Sequence, residues 1–383
     1  MNLKNLFVAL ACFLLGPIDA FAYQIAPMGS SFEARLTNET DSNLAKIAGR
    51  VGVLLKSPVH EEITQLGSGC PVEPAELAKD RLCGDVDAPF AGTFIIYGVR
   101  WNDLPPFRLS EREGRCSAFG KACRTSETVR FSTQPACWYC LFKDAEKTAA
   151  SRRIAGCRAT DGALRGNLMT RSHFGDLQFL HGMASEEGMS AGVTQRKVEE
   201  WLQFAWMVAS REIPPERRLK EIDIPTIQEH FSCTEWTVAD LYILGRQDRK
   251  SGLLDKIHDI AFGSVLHTVQ DSFAAGHASR EDAGVRPMCG ETGFRAPPAI
   301  REFHVYGSQD GALHDAKDSR NALVDGRATD DWPGAVEATR NLFALYEDRR
   351  TWGEAREYVR CLLRLTPDAT RSSPGSSFRK GPL

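Results

Sequence analysis

After its first 22 residues, this chain has no stretch approaching the roughly 18 consecutive apolar residues that a membrane-spanning helix needs. Runs of like charge are missing too. The formal net charge is −3, with neither a polybasic tail nor a long acidic run, so charge alone argues neither for nor against a nucleic-acid partner. There is no Gly-rich phosphate loop, no Gly-x-Ser-x-Gly elbow, no array of aromatic and basic residues, and no internal repeat. Histidine is scarce, with nine in 383 residues, so any clustering of histidines carries weight. What remains is ordinary for a soluble globular protein: 42% hydrophobic and 25% charged residues, in a chain long enough to bury a substantial core.

The N-terminus reads as a secretory signal peptide over residues 1–22. Lys4 precedes an apolar run from Leu6 to Leu15, Gly16-Pro17 breaks it, and Ala20-Phe21-Ala22 supplies the small residues of a cleavage site after Ala22. A lipoprotein reading would require Cys12, which lies inside the apolar run and ahead of the cleavage sequence. The mature protein is therefore expected in the periplasm or outside the cell. Cysteine use agrees: without Cys12 ten remain, an even number, which in an oxidising compartment reads as disulfides. Seven of the ten fall between 70 and 157. The pair Cys137-Trp138-Tyr139-Cys140 has redox spacing, but no strand-then-helix pattern surrounds it.

Residues 23–365 read as a single helical domain. Leu44, Ile47, Val51, Leu54 and Leu55 recur at helical spacing, and Pro58 opens a second helix at His60. Residues 67–165 are expected to be a disulfide-rich irregular insertion, with β-prone runs such as Gly92–Tyr97 and little regular helix. Phe174, Leu177, Leu180 and Met183 share one helical face; Val198, Trp201, Leu202, Phe204 and Ala205 share another. The clearest helix covers 253–275, and two more are expected at 333–347 and 353–364. Residues 366–383, rich in Ser, Pro and Gly, are expected to be disordered.

Chemistry concentrates in the helix at 253–275. His267 and Asp271 are one turn apart and project from the same face, an imidazole and a carboxylate suited to zinc. His277 follows Gly276; on a continued helix it would sit about 120° from Asp271, placed to serve a neighbouring metal. A histidine on an amphipathic helix is ordinarily a hydrogen-bonded core or surface residue. Two features point instead to a metal. An unpaired carboxylate on this apolar face would be costly, and His314 and Asp318 repeat the one-turn spacing. His60-Glu61 starts a zinc-protease pattern, but Thr64 stands where its second histidine belongs.

His-x3-Asp-x5-His followed by His-x3-Asp resembles the ligand signature of the zinc-dependent phospholipase C and fungal single-strand nuclease superfamily. The resemblance covers residues 45 to 325. It implies an all-helical phosphodiester hydrolase in which His60, Asp103 and His173 precede His267, Asp271, His277, His314 and Asp318 as zinc ligands. The 43-residue interval from His60 to Asp103 is close to the family's. His181 competes with His173 for one role, and His304 with His314 for another. Ala275-Gly276 replaces the family's Gln-Pro. The family's N-terminal tryptophan has no counterpart, since Tyr23 lies 37 residues before His60. The resemblance thus implies two or three zinc ions, with Asp271 bridging and Asp103 orienting the attacking water as the catalytic carboxylates. Substrates would be phospholipid head groups, with peripheral membrane contact, or nucleic acid as substrate only. Trp101, Phe107, Trp138 and Tyr139 could stack on bases or pack the insertion. A secreted protein with structural zinc, without catalysis, is the alternative from another class.

Overall fold

In the computed structural model the described residues are 30–33, 58–71, 83–108, 128–129, 135–149, 154, 156–158, 167–247, 251–282, 287–319 and 334–379. The signal peptide, the helical run from Leu44 to Leu55, and Cys116 and Cys123 lie outside them. The helices are α1 (Val59–Gly67), α2 (Thr93–Trp101), α3 (Pro135–Ala149), α4 (Leu168–Phe174), α5 (Ala191–Ala209), α6 (Pro225–Phe231), α7 (Val238–Ile243), α8 (Ile257–Asp271), α9 (Gly311–Lys317), α10 (Gly334–Glu347) and α11 (Trp352–Leu362). Two short antiparallel pairs join β1 (Phe107–Arg108) to β2 (Thr128–Val129), and β3 (Ala278–Arg280) to β4 (Ile300–Phe303). The described chain is mainly helical, and no described helix is long and apolar enough to cross a membrane.

Helix α8 organises the rest. Of its residues only His258 and Asp259 escape burial, so it is a core helix buried nearly all round, with Ser264, His267, Thr268, Gln270 and Asp271 as polar groups inside. It packs on α2 and α5. Its approach to α2 is close because Gly98 and Gly263 lack side chains: a Cβ on either would overlap the other helix's backbone. That proximity lets a backbone carbonyl of α2 reach a side chain of α8, which matters for the metal centre. On α5, the expected face of Val198, Trp201, Leu202, Phe204 and Ala205 is buried against the same core.

The insertion departs from expectation. Of the run Gly92–Tyr97, read as β-prone, Gly92 caps α2 and Thr93–Tyr97 belong to it; Ile95, Ile96 and Val99 of α2 are buried. Tertiary burial against α8 outweighs the strand preference of branched and aromatic residues, which is itself mostly a packing effect. With α3 also present, residues 67–165 contain more helix than expected. Nor is the insertion closed on itself: Cys70–Cys83 lies within it, but Cys157–Cys233 ties it to the segment after α6, and Cys289–Cys361 fastens α11. Three disulfides fit an oxidising compartment such as the periplasm or the cell exterior. A small separate core of Phe107, Val129, Trp138, Phe142, Ile154, Met169 and Phe174 seats α3 against α4.

The C-terminal segment was expected to be disordered. Residues 366–379 instead lie along the body, with bridges His304 to Ser373 and Gln309 to Arg379, and with Phe378 buried. Backbone pairing and one well-placed aromatic hold a stretch whose composition has no apolar period.

A buried ion cluster locks α1 to α2. Arg100 donates through Nη1 to Glu61 Oε1 at 2.8 Å and pairs through Nε with Glu33 Oε2 at 2.8 Å. Arg100→Met would strand both carboxylates in the interior. The expected loss is about 3–5 kcal/mol of stability, visible as a lower urea midpoint. An unchanged midpoint would show that the pairing contributes nothing.

Candidate metal centre

Six of the nine histidines gather with three aspartates into three groups whose donor atoms lie within 4.8 Å of one another: His60, His267 and Asp271; Asp103, His173 and His181; His277, His314 and Asp318. All nine residues are buried. Each group could hold a metal ion. Separate elements deliver them: α1 supplies His60, the end of α2 Asp103, α4 His173, a 3-10 turn (Gln178–His181) His181, α8 His267 and Asp271, and α9 His314.

Asp271 is the hub. Its Oδ2 lies 2.9 Å from His181 Nδ1 and 3.0 Å from His267 Nε2, and its Oδ1 lies 3.2 Å from His60 Nε2. Asp103 Oδ1 approaches both His181 Nδ1 and His267 Nε2 at 3.8 Å. In the other group, His314 Nε2 lies 2.8 Å from Asp318 Oδ2, and His277 Nε2 lies 3.9 Å from the same oxygen.

The opposite nitrogens are anchored. His267 Nδ1 donates to Val99 O (2.7 Å), the contact that the glycine crossing permits. His60 Nδ1 donates to Gln270 Oε1 (2.7 Å), His173 Nδ1 to Met169 O (2.9 Å), His277 Nδ1 to His181 O (2.7 Å) and His314 Nδ1 to Gln309 Oε1 (2.6 Å). A donated Nδ1 hydrogen fixes the tautomer, leaving the Nε2 lone pair for a ligand, and this is how metal-binding imidazoles are usually oriented. Gln309 is itself held by Gly276 O and Pro374 O, so the C-terminal segment supports His314 through it. His181 is the exception, since it turns Nδ1 towards Asp271.

Electrostatics follow from burial. Burial disfavours charge on His181 and His267 and holds both at about 4, although Asp271 acts the other way; burial and the neighbouring His181 put His173 at about 3. His60 is opposite: burial opposes its charge, but the Asp271 carboxylate wins and pushes it up to about 9. Burial would raise Asp271, yet His277, His267 and His60 hold it well below the usual carboxylate range. A carboxylate that stays ionised beside the neutral imidazoles of His181 and His267 is a donor set for a borderline cation such as zinc, whose binding would displace the extra proton from His60. The buried Nε2 atoms of His181 and His277 have no hydrogen-bond partner among the described residues, which also fits coordination.

The residues singled out in the sequence are brought together unevenly. His267, Asp271, His60 and Asp103 converge, and His314 pairs with Asp318 across one turn. His277 is placed differently: α8 stops at Asp271, and a turn through Gly276 rather than continued helix brings it in. His304 stands outside the three groups, its Nδ1 3.2 Å from Gly276 O, which favours His314. His173 and His181 both reach the centre, with ring centroids 4.9 Å apart, but His181 makes the contacts to Asp271 and His267. His181→Ala is accordingly expected to lose at least about tenfold more metal affinity than His173→Ala, measured by competition with a chromogenic chelator; equal losses would contradict that ranking. Two structural partners, Gln270 and Gln309, carry no sequence signal beyond their types.

No family model, curated protein or solved structure matches this chain. The class that the fold and the site define is a mainly helical, disulfide-bonded protein with three His/Asp groups able to bind metal.

Proposed function

We propose that this protein is an exported zinc-dependent phosphodiester hydrolase of the kind its ligand pattern resembles, acting on phospholipid head groups. The observation that carries the reading is the convergence on one buried carboxylate, Asp271, of imidazoles from three separate elements, with Asp103 beside them. Purely packing histidines have no reason to aim their free nitrogens at a common point. Zinc held there would lower the pKa of bound water and offset charge developing on phosphoryl oxygens. Asp271, with an oxygen towards His60 and another towards His181 and His267, is shaped to join two positions. Asp103 would orient the attacking water and accept its proton. His277, His314 and Asp318 would face the leaving group.

Lipid is favoured over nucleic acid because Trp101, Phe107 and Trp138 are buried in cores, so they do not offer faces for base stacking.

A structural metal centre is the second reading, and burial favours it: no residue of the three groups exceeds 5% exposure. Closed sites are structural and open ones catalytic. The deciding experiment offers the zinc-loaded full-length protein a short-chain phosphatidylcholine and, separately, single-stranded DNA. Chelator-sensitive release of phosphocholine supports the proposal and release of nucleotides moves it to a nuclease. Metal retention without either leaves the structural reading, and a metal-free folded protein defeats all three.

A further inference from the structure

His173 and His181 sit on a stretch with little regular structure of its own. Helix α4 ends at Phe174, and a turn follows at Gly175–Leu177. The 3-10 turn Gln178–His181 then closes at Gly182, which is in the left-handed region (φ +60°). The segment's backbone bonds are turn bonds rather than continuous helix, with Gly175 N and Leu177 N both donating to Arg171 O. A second buried polar network spans it.

Asp176 is its centre. Arg171 grips it with two parallel bonds, Nε to Oδ1 at 2.9 Å and Nη2 to Oδ2 at 2.8 Å, and Nη2 also donates to His230 O at 2.6 Å. His230 Nδ1 donates to Asp176 Oδ2 at 2.7 Å, while Lys197 Nζ donates to His230 Nε2 at 3.0 Å and to Glu229 Oε2 at 3.0 Å. The Cys157–Cys233 disulfide closes the assembly, joining the turn at Gly156 to the segment following His230. A side chain at Gly156 would run into both Arg171 and Asp176, so the turn must pass at contact distance. Four segments thus meet on one carboxylate, placed three residues after His173 and five before His181.

We propose that Asp176, clamped by Arg171 and His230, is a positioning residue that holds His173 and His181 in register with Asp103 and Asp271. The planar fork of Arg171 suits this task, since a bidentate pair fixes both distance and angle between α4 and the turn. Removing the carboxylate's charge lets Arg171 swing and frees the turn, so the centre loosens on the side of these two histidines. In the group of His277, His314 and Asp318, His314 and Asp318 rest on α9 and the C-terminal segment, so the effect reaches this group only through the bond from His277 Nδ1 to His181 O and should be much smaller there. This rests on the reading that the groups bind metal.

The test uses the full-length protein loaded with cobalt(II), whose visible absorption reports each site's geometry. In Asp176→Asn the expected result is a weaker affinity, by about tenfold, for the ion or ions held by the His173/His181 side, the lower end of what loss of a direct outer partner costs, since Asp176 acts through the turn. The spectral change should match that of His181→Ala, with the ion at His277, His314 and Asp318 retained. An unchanged spectrum in a folded variant overturns the proposal. So does an even loss from every site that follows a lower melting temperature, the signature of a merely structural role. Should Asp176→Asn fail to fold, His230→Gln is read by the same two criteria. A wild-type protein that takes up no cobalt overturns the metal reading, and this inference with it; a loaded wild type beside an unaltered variant overturns only the role of Asp176.

Discussion

Replacing Asp271 with Asn is expected to empty the centre of metal around His60, His181 and His267, and to cut phosphodiester hydrolysis by about 10³-fold or more. The substitution is nearly isosteric, so the fold should survive, and its effect should be chemical. A carboxylate offers lone pairs from two oxygens, and here both are used, Oδ1 towards His60 and Oδ2 towards His181 and His267. A carboxamide keeps one acceptor and turns an NH2 group on the other side. That group would donate to an imidazole nitrogen and occupy the lone pair a cation needs. The variant also removes the negative charge of Asp271, the main influence that pushes His60 up to about 9 against its burial. Metal analysis after dialysis, beside a far-ultraviolet spectrum, gives the measurement. A folded Asp271→Asn protein with the full metal content and full activity would remove Asp271 from the centre.

The parts of this molecule that were legible in its sequence are those encoded locally. The helix of α8, the one-turn pair His267 and Asp271, and the pair His314 and Asp318 on α9 all follow from spacing within a single helix. The helices α10 and α11 follow from apolar periodicity in the same way. What was not legible depends on partners far away in the chain. The run Thr93–Tyr97 becomes helix because Gly98 and Gly263 let α2 press against α8, a contact between residues more than 160 positions apart. His181 rather than His173 faces Asp271 because a 3-10 turn, which has no strong sequence signature, rotates it inward. Residues 366–379 order because Phe378 packs beside His304 and His314. Arg171, Asp176 and His230 are unremarkable as sequence; their meaning appears only when four segments are brought together.

Stripping the metal should destabilise the protein more than any single surface substitution. A ligand present at about a thousand times its dissociation constant contributes roughly 4 kcal/mol per site. Two occupied sites would therefore contribute about 8 kcal/mol, and at roughly 2 °C or more per kcal/mol the chelated protein should melt at least about 15 °C lower. Its pH dependence has two opposed parts. His181 and His267, held at about 4, and His173, at about 3, stay neutral in the fold while the unfolded chain takes up protons below its ordinary value near 6.5. The unfolded state then binds more protons, so stability falls as pH drops from about 6.5 towards 4. His60 works in reverse: raised to about 9, it adds stability that is complete below about 6.5 and is lost as pH climbs through 9. The metal-free protein should therefore be most stable near pH 6.5 and weaken on both sides, more steeply towards acid, where these three imidazoles are joined by His230, also held at about 4, and by the lowered His277 and His304, against His60 alone. Calorimetric melts with and without chelator at about pH 5, 6.5 and 8.5 would test both parts. Coincident melts with and without chelator would mean that these buried imidazoles and carboxylates are stable by themselves and are not built around a cation.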